Sequence, residues 1–128
     1  MAGTDVRAGD GSVVTVVETW RLEEEFVERA LEIMQEMDDL VGPAAHVDPG
    51  WREHGRFFQN QADPAEIHML YTWRSRPEHE VFIRDEETRI TDFYAKYCEG
   101  PRRITYYTEL PVDVEAGVDR GGPAQAPG

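Results

Sequence analysis

The stretch Glu66 to Glu78, EIHMLYTWRSRPE, changes its hydrophobic period halfway along. Up to Arg74 the residues alternate, with Ile67, Met69, Tyr71 and Trp73 on one side and His68, Leu70 and Thr72 on the other. That is the pattern of a strand with one buried face. At Ser75 the alternation stops. Ser75-Arg76-Pro77-Glu78 is a capping box: a hydroxyl to accept a free helical N–H, a proline suited to the first turn, and a glutamate three residues after the cap. The helix that follows carries the stripe Phe82, Ile83, Ile90, Phe93, Tyr94 and Tyr97 and ends before Gly100-Pro101. Its polar run Arg84 to Arg89 predicts a break into two pieces.

Working back from this junction, Gln61 to Ala65 contains Asp63-Pro64 and reads as a turn. Before it Trp51 to Asn60 alternates again, so Trp51–Asn60 and Glu66–Arg74 form a hairpin. Ala44 to Gly50 is a loop. In Glu23 to Val41, Phe26, Val27, Ala30, Leu31, Met34, Met37 and Val41 recur at three- and four-residue steps, which predicts a helix stopped by Gly42-Pro43. Ser12 to Leu22 (SVVTVVETWRL) is β-branched and apolar enough for a strand covered on both faces. On the far side, Arg102 to Val114 supplies a fourth strand whose Pro111 suits a sheet edge. Residues 1–11 read as a flexible arm, 12–115 as one domain, and 116–128 as a disordered tail.

The resulting order, βαββαβ, predicts an α+β, ferredoxin-like domain with a four-stranded antiparallel sheet and both helices on one face. The opposite face would carry Phe58, Leu70, His54, His68, Arg52, Arg56 and Tyr107. It is too apolar to stay wet across its area, so a second copy packed on it, a homodimer, is expected. Thirteen Lys and Arg against 26 Asp and Glu give a net charge of −13, which repels phosphate backbones and anionic lipid. Nucleic acid and membranes are therefore not expected partners. Eight acids against Arg29 alone lie between Glu23 and Asp39, a solvated face on the first helix. The N-terminus has no apolar signal-peptide core, so a cytoplasmic location is expected. One cysteine, Cys98, allows no internal disulfide and reads as a small apolar residue. No His, Cys or carboxylate spacing suits a metal.

With the element order in place, the chain from Ser12 to Val114 resembles the dimeric α/β-barrel superfamily, in particular its antibiotic biosynthesis monooxygenase-like domains. Tyr71-Thr72-Trp73-Arg74-Ser75, an aromatic strand end entering a capped helix with Glu78-His79 soon after, carries the resemblance. It implies an aromatic-lined pocket between sheet and helices, closed by the dimer. It also implies oxidation of phenolic or hydroquinone substrates by molecular oxygen without a cofactor. Haem-degrading relatives use an Asn in the first strand, a Trp in the third and an axial His on the second helix. Only Trp73 matches: the first strand has Thr19 and no Asn, His79 comes too early, and residues 80–98 contain no His. Haem is therefore not expected, and no cofactor is assigned.

Candidate residues follow from both lines of reasoning. His79 shares the stripe of Phe82, Ile83, Ile90 and Phe93 and stands in the first helical turn, where the dipole disfavours a cation; a neutral imidazole there can act as a general base. His68 is the alternative base. Trp73 and Asn60 would orient the substrate anion, with Phe57, Tyr71, Phe82 and Tyr94 as walls. Arg56, with Arg52, suits an anionic group or ion pairs across the dimer to Glu18 or Glu66. The expected function is a small dimeric monooxygenase of secondary metabolism acting on an aromatic or polyketide-like molecule. An oxygen-independent cyclase or isomerase, and a non-catalytic accessory protein docking a basic partner on its acidic first helix, stay open beside it.

Overall fold

The structure is a computed structural model, and it describes residues 12–114. The elements run β1 (Val14–Arg21), a 3-10 segment (Glu24–Arg29), α1 (Ala30–His46), β2 (Arg56–Gln59), β3 (Glu66–Trp73), α2 (Arg76–Tyr97) and β4 (Arg103–Tyr107). The sheet order is β2-β3-β1-β4 and every pairing is antiparallel. This is the expected ferredoxin-like α+β fold. The arm and the tail predicted for the two ends lie outside the described residues.

Strand alternation decides which side chains meet the helices. On β3, Ile67, Met69, Tyr71 and Trp73 are buried; on β1, Val14, Val16, Glu18 and Trp20 are buried on that side. Helices α1 and α2 close over them with Ile33, Met34, Met37 and Val41, and with Phe82, Ile90, Phe93 and Tyr97. The register confirms the alternation, with Val16 opposite Tyr71 and Trp20 opposite Ile67. On the other face Val13, Phe58, Leu70 and Tyr107 are exposed, as the pattern required.

Five boundaries differ from expectation. Glu23 makes no side-chain cap, and the acidic start of the first helix winds as a 3-10 segment with no buried residue before α1 begins at Ala30. Gly42-Pro43 does not end α1, which continues to His46. Pro43 lies in the exposed last turns, so its ring projects into solvent and its missing N–H removes one hydrogen bond. The polar run does not break α2, because Glu86 takes its place in the buried stripe between Phe82 and Ile90. The strand begun at Trp51 shrinks to Arg56–Gln59. Trp51 makes one bridge to Trp73, and the His54 ring turns away from the open face onto His46 and Trp51, at 4.9 and 5.1 Å. The fourth strand ends at Tyr107, short of Val114. The Ser75 cap forms as read: its hydroxyl accepts from the Glu78 N–H and donates to the Glu78 carboxylate.

Candidate active site

Three core-facing positions hold charged residues. Glu18 is at such a position on β1, Glu86 on α2, and Arg102 just before β4; all are at most 7% exposed. Burying charge is expensive unless it is paired and hydrogen-bonded. Arg102 supplies the pairing with a fork of three bonds: to Glu18 at 2.9 Å, to Glu86 at 2.8 Å and to the half-buried Glu87 at 3.1 Å. Its guanidinium also lies over the Trp20 ring. Glu18 accepts further bonds from Trp20 Nε1 at 3.1 Å and from Tyr71 Oη at 2.6 Å.

Tyr71 leads on to His79, whose Nε2 lies 2.6 Å from Oη and whose Nδ1 lies 2.9 Å from Tyr106 Oη. The direction of these bonds follows from the Glu18 end. Tyr71 gives its proton to Glu18, so its oxygen must accept from Nε2–H of His79. Nδ1 then carries no proton and accepts from Tyr106. His79 is fully buried and desolvation, aided by the Arg102 charge, drops its pKa to about 3, so the ring is neutral. Burial first, then the Glu18 charge, hold the Tyr71 hydroxyl well above the usual phenol range; desolvation pushes Tyr106 up to about 12. Desolvation also lifts Glu86 to about 7, against the Arg102 charge that opposes it.

Trp73 closes this line on one side. Its ring packs on Phe82 at 4.8 Å, His79 at 5.3 Å and Tyr71 at 5.9 Å. It is 1% exposed, yet its indole N–H has no hydrogen-bond partner. Buried donors are rarely left so, and the Trp73 side chain is part of a cavity wall. Gly50 permits this placement: a Cβ there would lie 2.1 Å from Trp73 Nε1. A cavity of about 40 Å³ is bounded at its inner end by Glu18, Tyr71, Trp73, Phe82, Glu86 and Arg102. It rises to His46, Trp51 and Glu53 at the end of α1 and in the following loop. A few waters fit.

The structure thus brings His79, Trp73, Tyr71 and Phe82 together and sets the other candidates elsewhere. His68 points to the open sheet face, bonded to Thr19 at 3.2 Å and near Glu66. Asn60 is tied into the β2–β3 turn through Glu66, at 2.7 Å. Phe57 lines a separate cleft of about 260 Å³ between α1 and β2, with Met34, Phe58 and Ile67. Arg56 lies over the Phe58 ring on the open face. Tyr94 stands fifteen residues beyond His79 on α2, roughly 22 Å along the axis, where it bonds Glu87 and packs on Trp20. The expected pairing of Arg52 or Arg56 with Glu18 across a dimer is corrected: Glu18 faces the helices and Arg102 holds it. Glu18, Glu86 and Arg102 were missed, although Glu18 follows Val14 and Val16 in strand parity and Glu86 follows Phe82 by four.

Among the described residues no group of His, Cys, Asp or Glu could hold a metal ion, and no helix is long and apolar enough to cross a membrane. Cys98 is buried, and desolvation pushes its thiol up to about 11.

A four-stranded antiparallel sheet carrying two helices on one face, with a polar cluster between the layers, defines the class. Solved structures that share this fold include proteins named as antibiotic biosynthesis monooxygenases. An antibiotic biosynthesis monooxygenase superposes with a TM-score of 0.55 at 16% identity, over 77% of this chain and 99% of that one. A Bordetella bronchiseptica protein provisionally given the same name does so with a TM-score of 0.60 at 8% identity, over 77% and 98%. A conserved protein from Methanosarcina mazei Go1 gives 0.59 at 19% identity, over 78% and 95%. No family model and no curated protein sequence matches.

Proposed function

We propose that this chain is a small homodimeric enzyme that oxidises an aromatic or polyketide-like substrate with molecular oxygen, without a cofactor. The observation that carries the reading is the buried line Tyr106–His79–Tyr71–Glu18, packed against the Trp73 ring and reaching the sheet–helix cavity at Tyr71 and Glu18. The names of several structural neighbours support the same chemistry.

Such a reaction needs a site that makes and holds a substrate anion, which then reduces oxygen itself. For an anthrone-type carbon the balance is a CH₂ group and O₂ giving C=O and water. Here the Trp73 N–H and the Arg102 charge would hold the developing oxyanion, and Phe82 and Trp73 would wall it from water. His79 has both ring nitrogens engaged, so its part is to position the Tyr71 hydroxyl. The present cavity is far smaller than the roughly 300 Å³ of a usual ligand site. Admission of substrate therefore requires the Trp51 and His46 rings at its outer end to part. The second copy would cover Phe58, Leu70 and Tyr107 on the open face.

Aerobic and anaerobic incubation with naphthols, hydroquinones and anthrones tests this. The expected result is an oxygen-dependent product carrying one atom from ¹⁸O₂, reduced by Tyr71→Phe and by His79→Ala. Equal turnover without oxygen would move the same site to isomerase or cyclase chemistry, and no turnover with either would overturn the enzymatic reading.

A further inference from the structure

We infer that Glu86 is the catalytic base of this site, the group that takes the proton from a bound phenolic or enolic hydroxyl. The inference rests on the reading above for its substrate class but not for its oxygen chemistry.

Geometry separates Glu86 from the other candidates. His79 is sealed in, one nitrogen on Tyr71 and the other on Tyr106, and does not border the cavity. Both Glu18 oxygens are occupied, one by Trp20 and Arg102 and the other by Tyr71. The Tyr71 hydroxyl proton is committed to Glu18. Glu86 differs. Its Oε1 accepts from Arg102 at 2.8 Å, while Oε2 has no hydrogen-bond partner among the described residues, and the side chain borders the cavity at 2% exposure. A buried carboxyl with one oxygen anchored and one unengaged, in a cavity wall shared with Trp73 and Phe82, offers an acceptor to the hydroxyl of an aromatic ring.

The proton step balances within the site. The substrate O–H bond breaks, an O–H bond forms at Glu86 Oε2, and the negative charge passes from the carboxylate to the substrate oxygen. Nothing is oxidised or reduced, and the net charge of the site is unchanged by the transfer. The groups facing Glu86 are Glu18 from β1, Tyr71 from β3, Asp38 from α1, Arg89 on α2 and Arg102 before β4. Burial and the Glu18 charge make the carboxylate more basic than one in water; Arg102 and Arg89 hold the rise in check. A base with its pKa near the working pH is the effective one.

The test is the absorption spectrum of 1-naphthol bound to the full chain without oxygen, at a pH where free naphthol stays protonated. Wild type is expected to show the naphtholate band, and His68→Gln, on the open sheet face, to keep it. Glu86→Gln, which preserves the bond to Arg102, should bind naphthol in its neutral form, with the ionised fraction at least about tenfold lower. General-base catalysis is worth about 10²- to 10⁴-fold, and turnover should fall by at least the lower figure. Glu86→Asp, shorter but ionisable, should restore part of the band and serves if the Gln variant does not fold. Binding of 1-methoxynaphthalene should be the same in all variants. An undiminished band in Glu86→Gln, neutral naphthol in wild type, or no binding would overturn the inference. A Glu86-dependent band with no oxygenated product on admitting air would leave Glu86 as the base and refute the oxygenase reading alone.

Discussion

Replacing Glu86 with Gln should abolish a pH dependence of stability that runs opposite to the usual one for carboxylates. In the unfolded chain Glu86 titrates near 4.5, and in the folded protein burial raises it to about 7. The folded state therefore binds the proton more tightly. This stabilisation is complete below the unfolded value and is lost as pH rises through the folded one. A rise of this size is worth about 3 kcal/mol, of which about 2–3 kcal/mol disappears between pH 5 and pH 8. Glutamine resembles the protonated acid and has no such dependence. Urea unfolding of wild type and Glu86→Gln at several pH values gives the difference directly, since other ionisable groups are common to both. The two should match near pH 5, and the variant should be more stable near pH 8. Parallel curves would refute the placement of an ionisable, desolvated Glu86 in the core.

Arg102→Leu should destabilise the domain by about 3–5 kcal/mol at pH 8, because Glu18 and Glu86 lose their buried counter-charge; thermal melts at pH 5 and 8 should show a smaller loss at the acid value. Gly50→Ala drives a methyl into the Trp73 indole, and overpacking of this kind costs about 1–3 kcal/mol; a shift of tryptophan emission together with a lower urea midpoint would report it. Leu70→Arg puts a charge at the centre of the open sheet face, opposite Val17 and Arg56. If that face joins two copies, sedimentation should show wild type as a dimer and the variant as a monomer of unchanged circular dichroism.

Much of the fold was legible because its signals are local. The alternation of Ile67, Met69, Tyr71 and Trp73 fixed the buried face of β3, and the Ser75 cap fixed where α2 starts. The site was legible only in part. His79, Trp73, Tyr71 and Phe82 share a face or a stripe, so periodicity brought them together. Glu18 and Glu86 occupy core-facing positions too, but an acid at such a place makes sense only with its partner. Arg102 lies 84 residues from Glu18 and 16 from Glu86, and no local period records that pairing. Lacking it, Glu86 read as part of a helix break and Glu18 as an open-face charge. Asn60 and Tyr94 lie apart for the converse reason: their residue types suited the chemistry, while the turn and the helix length carried them away from Trp73.

The direction of the hydrogen bonds through His79 underlies every role given to this interior, and ¹⁵N chemical shifts of the His79 ring measure it. Across pH 5 to 8 the ring should stay neutral, protonated at Nε2 and bare at Nδ1, because Tyr71 spends its proton on Glu18. A ring that gains a proton between pH 6 and 7, or one protonated at Nδ1, would contradict the buried line and the acid–base site built on it.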